Sequence, residues 1–287
     1  MGQRGAIYVW GSPGARNFGL HRQFRGALSP MCNGSAKVAP VQRVRPRMKH
    51  IGILAHSFEG ATLCYRTTCL EGVRRLGPHM HPEITLSGMA MHHMMDAYER
   101  DDRKAVRTLF EQSIHKLAAA GADFFICPDN TAHIALESDG PDFELPCLHI
   151  GEVVAEQALQ ESRTKVGILG TDWTMTGPVY PGALGRRAIG LAIPDEPDRK
   201  TVHDVIFEEL TLGEFKDESR DSYVGIIQKL ADEGCDCVAL VCTEIPLLIS
   251  AEVSPLPILD STRLLAAAGV EVAIGERPMP TWRGGPL

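Results

Sequence analysis

The chain has few aromatic residues, 6% of 287. It also has no apolar run of the roughly 18 residues that a membrane-spanning helix requires. Nucleotide fingerprints are missing as well: no Gly-x-Gly-x-x-Gly follows a strand-like run, and no Gly-x-x-x-x-Gly-Lys-Ser/Thr is present. That excludes the usual dinucleotide cradle and argues against ATP chemistry. Excess positive charge is absent too. With 29 basic and 36 acidic side chains, the net charge of −7 disfavours nonspecific binding to nucleic acid. Neither glycine (28) nor proline (19) is abundant enough for a disordered or collagen-like chain. What remains is a globular protein long enough for one large core or two smaller ones.

The eight cysteines (Cys32, Cys64, Cys69, Cys127, Cys147, Cys235, Cys237, Cys242) do not read as a disulfide framework. Most sit within apolar runs and no secretory signal precedes them, so a reducing, cytoplasmic setting is expected. Cys235 and Cys237 lack the two-residue spacer and second pair of a zinc site, and are read as buried strand thiols. His79-Met80-His81 and Met91-His92-His93-Met94-Met95 carry soft-metal ligand types without metal-site spacing. They read as fillers of a core or a dimer surface, and no metal is expected.

Charge is uneven along the chain. Residues 1–47 hold eight basic residues and no Asp or Glu, leaving 21 basic against 36 acidic side chains from Met48 onward. This stretch is rich in Gly, Pro and Ser, shows no sustained periodicity, and is set outside the fold. Either Met48 is the true start and a floppy or spurious extension precedes it, or an Arg-rich organellar targeting segment stands there. The Gly and Pro content, which spoils an amphipathic helix, favours the first. At the other end 271–287 is set aside as a tail, and its Pro-Met-Pro and Gly-Gly-Pro past 276 are expected to be disordered.

Between these ends the chain repeats itself. Lys49-His50-Ile51-Gly52-Ile53-Leu54-Ala55-His56 matches Thr164-Lys165-Val166-Gly167-Ile168-Leu169-Gly170-Thr171. Gly121-Ala122-Asp123 matches Gly234-Cys235-Asp236, and Leu145-Pro146 matches Leu256-Pro257. Gly52 precedes Gly121 by 69 residues, and Gly167 precedes Gly234 by 67. Each repeat alternates apolar strand runs (Phe124–Ile126, Val166–Leu169, Ala188–Ile193, Val238–Val241) with amphipathic helices. In 222–233, for example, Tyr223, Ile226, Ile227 and Leu230 fall at helical spacing. Such runs imply an α/β protein of two pseudo-symmetric lobes, 48–150 and 151–270, each a mostly parallel sheet flanked by helices. Ligands of open α/β sheets sit beyond the carboxyl ends of the strands, so the active site is expected in the cleft between the lobes.

Two ionisable side chains mark those ends at equal offsets from the repeat glycines: Asp129 follows Gly121 by eight residues, and Cys242 follows Gly234 by eight. Facing each other across a cleft, they could take a proton from one face of a carbon and deliver one to the other. Asn130, Thr131 and Thr243 stand at probable helix starts, where caps and exposed N–H groups would hold a ligand carboxylate. The same field would lower the Cys242 thiol pKa.

Pro128-Asp129-Asn130-Thr131-Ala132-His133 and Cys242-Thr243-Glu244-Ile245-Pro246 resemble the two signature motifs of the aspartate/glutamate racemase family. So do Ser57-Phe58-Glu59 with Thr62, Tyr65 and Arg66, and Gly170-Thr171 with Gly177 and Tyr180. The resemblance implies a cofactor-independent (PLP-independent) isomerase acting on a small acidic amino acid, commonly as a homodimer. It implies that paired residues on either side of the α-carbon serve as acid and base. It also places Ser57, Asn130, Thr131, Thr171, Thr243 and His56 around the substrate. Relatives on this fold include hydantoin racemase, maleate isomerase and arylmalonate decarboxylase.

The sequence departs from the pattern where the first catalytic cysteine should stand: it has Asp129, while Ala55-His56 replaces the familiar Gly-Gly. Reference pKa values of about 3.9 for Asp and about 8.5 for Cys leave a mismatch worth about 6 kcal/mol. Asp129 is a poor base unless burial raises it by several units or His56 shares the proton. Three chemistries remain open: two-sided racemisation, one-sided protonation by Cys242 after decarboxylation or another cleavage, and covalent addition of Cys242. A ligand-binding protein without turnover is the reading from another class.

Overall fold

The apolar runs become strands sealed on both faces. In a computed structural model that describes residues 47–284, the first half runs β1 (Ile51–Ala55), α1 (Phe58–Leu76), β2 (Ile84–Gly88), α2 (His92–Glu99), α3 (Arg103–Ala119), β3 (Phe124–Ile126), α4 (Ala132–Leu136), β4 (Cys147–Leu148) and α5 (Ile150–Gln160). The second half runs β5 (Lys165–Leu169), α6 (Asp172–Thr176), α7 (Val179–Gly185), β6 (Gly190–Ala192), α8 (Glu196–Glu208), α9 (Asp217–Asp232), β7 (Cys237–Leu240), α10 (Ile245–Leu248), β8 (Ile258–Asp260) and α11 (Ser261–Ile274). A 3-10 turn at Leu210–Leu212 follows α8. The extension read from the first residues lies, up to 46, outside the described residues.

Two four-stranded parallel sheets result, ordered β2-β1-β3-β4 and β6-β5-β7-β8. The same order in both is the repeat made visible. Its glycines have matching work. A Cβ on Gly52 would meet Leu117 of α3 at 3.1 Å, and one on Gly167 would meet Leu230 of α9 at 3.0 Å. Their absence lets each helix lie close on its sheet. Gly121 and Gly234 both take φ of +89°, a turn that disfavours any side chain. The aspartates two residues later tie the turns to the neighbouring strands: Asp123 accepts from the His50 N–H and Asp236 from the Thr164 N–H, each at 2.7 Å.

Lobe boundaries at 150 and 270 understate how the halves share parts. The final helix α11 continues past 270 to Ile274 and buries Leu265, Ala266, Ala268, Val272 and Ala273 against the first sheet's Ile51, Ile53, Phe124 and Ile126. Helix α5 gives Ile150 and Val153 to that core and Val154, Ala155 and Ala158 to the second. The tail expected to be disordered is held as far as it is described. Trp282 bridges to Cys147, and the Arg283 guanidinium donates to the carbonyls of Ser138 and Gly140 at 3.0 and 2.9 Å.

Helix α9 begins at Asp217, five residues ahead of the sequence expectation, because Asp217 and Glu218 suit a helix N-terminus. Cys237 lies buried in β7, while Cys235 lies buried just before it.

Candidate active site

Strands β1, β3, β5 and β7 end on one side, and the residues just past those ends border one cavity. His56, Ser57, Asp129, Asn130, Thr131, Thr171, Cys242 and Thr243, all singled out by sequence, line it together. The space in it open to a water-sized sphere is small, about 30 Å³.

On the first-lobe side, His56 leaves the end of β1 with its ring edge-on to Tyr98 and Phe110. Its Nδ1 lies 2.5 Å from Asp129 Oδ2; the His56 side chain is buried and that of Asp129 is 14% exposed. Burial works against the imidazolium, but the Asp129 charge outweighs it and raises the His56 pKa above its ordinary value. Burial likewise disfavours the Asp129 carboxylate, yet His56 and the Ala132 N–H hold that carboxyl below its usual range. The two groups form an ion pair. The rise in Asp129 basicity that burial alone would have given is therefore not realised.

His133 fixes the loop beneath this pair. It donates from Nδ1 to the Asp129 carbonyl at 2.9 Å and accepts from the Ile150 N–H at Nε2, 3.3 Å away. Burial and the neighbouring His149 push its pKa down to about 3, so it stays neutral.

On the second-lobe side, Cys242 donates from Sγ to Glu244 Oε2 at 3.0 Å, and Glu244 also accepts from Thr243 at 2.7 Å and Ser57 at 2.6 Å. Burial, then the Glu244 charge, pushes the Cys242 thiol well up. This corrects the expectation of a lowered thiol pKa. The helix after Cys242, α10, has only four residues and presents no substantial dipole, while a carboxylate sits against the sulfur. The first-lobe counterpart, α4, has five residues; its first turn is capped by Asp129 Oδ1, which accepts from the Ala132 N–H at 3.0 Å, and not by Asn130 or Thr131.

Those polar residues instead tie the lobes together. The hydroxyls of Thr131, Thr171 and Thr174 lie 2.8–3.0 Å apart in a closed triangle. Asn130 accepts from the Tyr180 hydroxyl and donates to Ser261 at 3.0 Å.

Sequence reasoning missed the rest of the cavity: Met91, Met95, Tyr98, Trp173, Ile206, Phe207, Thr211, Val241 and Glu244. Glu244 stood inside a quoted motif, and its adjacency to Cys242 was the available signal. Of the methionine-rich run, Met94 fills the core as expected, but Met91 and Met95 border the cleft. The small acidic amino acid expected as substrate meets no lysine or arginine among the described lining residues.

A family model described as Asp/Glu/Hydantoin racemase matches residues 52–269. The broad specificity amino-acid racemase RacX of Bacillus subtilis (strain 168) is 23% identical over 155 residues, which cover 54% of this chain and 66% of RacX, just under two thirds of that relative. A Yersinia pestis protein assigned as an Asp/Glu racemase has a similar crystal structure, with TM-score 0.71 and 31% identity over 79% of this chain and 100% of that one. PH1733, an aspartate racemase homologue from Pyrococcus horikoshii OT3, matches with TM-score 0.65 and 26% identity over 79% and 99% of the two chains.

Proposed function

The chain belongs to the Asp/Glu/hydantoin racemase family, and from that premise we propose that it is a PLP-independent amino-acid racemase or epimerase with one acid–base pair on each lobe. One observation carries the reading: Asp129 and Cys242 stand after equivalent strands of the repeat, β3 and β7, Asp129 beside His56 and Cys242 beside Glu244, and all four border a single cavity.

In this mechanism the α-proton moves to Cys242 on one face as the thiol's own proton passes to Glu244. On the opposite face the His56 imidazolium releases a proton to the α-carbon and becomes neutral. The reverse reaction starts from that second protonation state, with neutral His56 as base. Asp129, a weak base while paired, orients the ring and steadies its charge. His56 thus bridges the basicity gap between carboxyl and thiol, since its pKa lies nearer to working pH than that of aspartate. The hydroxyls of Ser57, Thr131, Thr171 and Thr243 and the Asn130 amide would hold the α-carboxylate and ammonium.

Incubation of the purified protein with L-amino acids in D₂O tests this. The expected result is α-deuteration with appearance of the D-enantiomer, and a loss of at least about 100-fold in Cys242→Ser and in His56→Asn, the range for removing a general acid or base. Solvent exchange without the opposite enantiomer would contradict two-sided transfer.

A second reading draws on the asymmetry of the pairs. A protonated Cys242 facing a cavity also suits a one-sided Cys-dependent isomerase, decarboxylase or lyase on a small carboxylic acid, and release of a fragment from such an acid would identify it. The proposal includes a cytoplasmic setting, supported by the seven free cysteines among the described residues. It also includes a homodimer, supported by kinship.

A further inference from the structure

The cavity has two kinds of wall. Its floor, at the strand ends, is made of hydroxyls, an amide and the two acid–base pairs. Its roof is mostly apolar: Tyr98 and Met95 come from α2, Met91 from the residue before it, Trp173 from α6, and Ile206 and Phe207 from α8, with Thr211 beside them. The aromatic members are in contact with one another. Tyr98 stacks on Trp173 with centroids 5.8 Å apart, and Trp173 meets Phe207 edge-on at 5.7 Å. The Tyr98 hydroxyl is buried and has no hydrogen-bond partner among the described residues.

Charge in the lining is one-sided. Asp129 and Glu244 are acidic, and the one histidine among the described lining residues turns its Nδ1 to Asp129, while its buried Nε2 has no partner among the described residues. Arg199 of α8 pairs with Asp172 at 2.9 Å and Arg103 with Asp101 at 2.9 Å, while Arg100, directly after α2, is exposed and outside the lining. A second substrate carboxylate placed against this roof would lose its hydration, gain no cation, and share the cavity with two acidic side chains. An apolar side chain would meet polarizable thioethers and aromatic faces instead.

We propose that the substrate's side chain is neutral and apolar, of the methionine, leucine or phenylalanine kind, and lies against the roof formed by Met91, Met95, Tyr98, Trp173, Ile206 and Phe207. The inference rests on the reading of the floor as the grip on the α-carbon, and it departs from the acidic substrate that the family resemblance implies. Tyr98 lies edge-on to His56, with ring centroids 5.6 Å apart, so the apolar wall reaches the acid–base pair. Discrimination against acids comes from the missing cation as much as from apolar contact.

Two measurements on the whole protein separate this inference from the racemase reading. In D₂O, kcat/KM for α-proton exchange is compared among L-methionine, L-leucine, L-phenylalanine, L-aspartate and L-glutamate. At least tenfold preference for the first three is expected. Faster exchange of aspartate or glutamate than of all three overturns the inference while leaving the racemase reading intact. Thermal-shift titration with 4-methylvalerate and with glutarate reads the same preference without turnover. A larger rise in Tm with 4-methylvalerate supports the apolar roof even if no amino acid exchanges, an outcome that would end the racemase reading alone. Equal rises, or a larger one with glutarate, overturn the proposal. Met95→Arg supplies the missing cation and should shift the kcat/KM ratio at least tenfold towards glutamate.

Discussion

His56 and Asp129 share a buried proton site, and their opposite displacements give the pair a pH signature. His56 has its pKa raised above 6.5, so its contribution to stability is complete below that value and is lost as pH rises through the folded-state pKa. Asp129 has its pKa lowered below 3.8, so its contribution is present above that value and is lost as pH falls through the folded-state pKa. The pair therefore stabilises the protein most between these limits. We expect the urea midpoint to fall from about pH 6 to about pH 9 more steeply in the wild type than in His56→Gln. Parallel slopes would show that the ring carries no proton. Asp129→Ala should cost about 3 kcal/mol, the lower end for breaking a buried pair, because His56 can shed its charge. Asp129 and His56 were both legible in the sequence as ionisable groups at strand ends. Their 2.5 Å approach was not, since His56 and Asp129 follow different strands, β1 and β3, and nothing local fixes their separation. The direction of the Cys242 shift was misjudged for a related reason. The motif announced a helix start, but only the folded chain brings the Glu244 carboxylate onto the sulfur.

At the scale of elements, α1 packs closely on the second-lobe loop at the cleft. A Cβ on Gly60 would lie 2.3 Å from Thr243 Cβ. Gly60→Ala must therefore push Thr243 and, through it, the hydrogen bonds that join Ser57, Glu244 and Cys242. Overpacking of this kind costs about 1–3 kcal/mol. Turnover should fall by more than Tm alone explains, which paired denaturation and exchange assays would reveal. Normal turnover in a folded Gly60→Ala protein would detach α1 from the site. Strands β1, β3, β5 and β7 were readable because parallel strands buried on both faces leave continuous apolar runs. The roof was not. Met91 and Met95 follow no period that distinguishes a cavity wall from a core, and α2 and α8 belong to different repeats. Only tertiary assembly sets them over the same space.

For the whole molecule, exchange of helices decides how the two lobes behave. Because α11 follows the second sheet yet packs on the first, and α5 serves both cores, neither half has a complete core of its own. Unfolding is expected as one transition, with β1 and β5 amides losing hydrogen-exchange protection together. Leu265→Ala, which truncates a fully buried contact of α11 with the first sheet, should cost about 2–5 kcal/mol and lower both sets alike. Independent loss of one set would mean that the lobes are autonomous. The repeat itself foretold two similar halves, but similarity in sequence is silent on which half a terminal helix will cover. The same crossing brings the Lys49 N–H, at the threshold of β1, to within 2.8 Å of the Ala273 carbonyl in the last turn of α11. The backbone thus nearly closes into a ring. Which repeat comes first along the polypeptide is then a matter of where the ring is cut, and a circular permutant opened between α5 and β5 would keep both acid–base pairs beside their shared cavity.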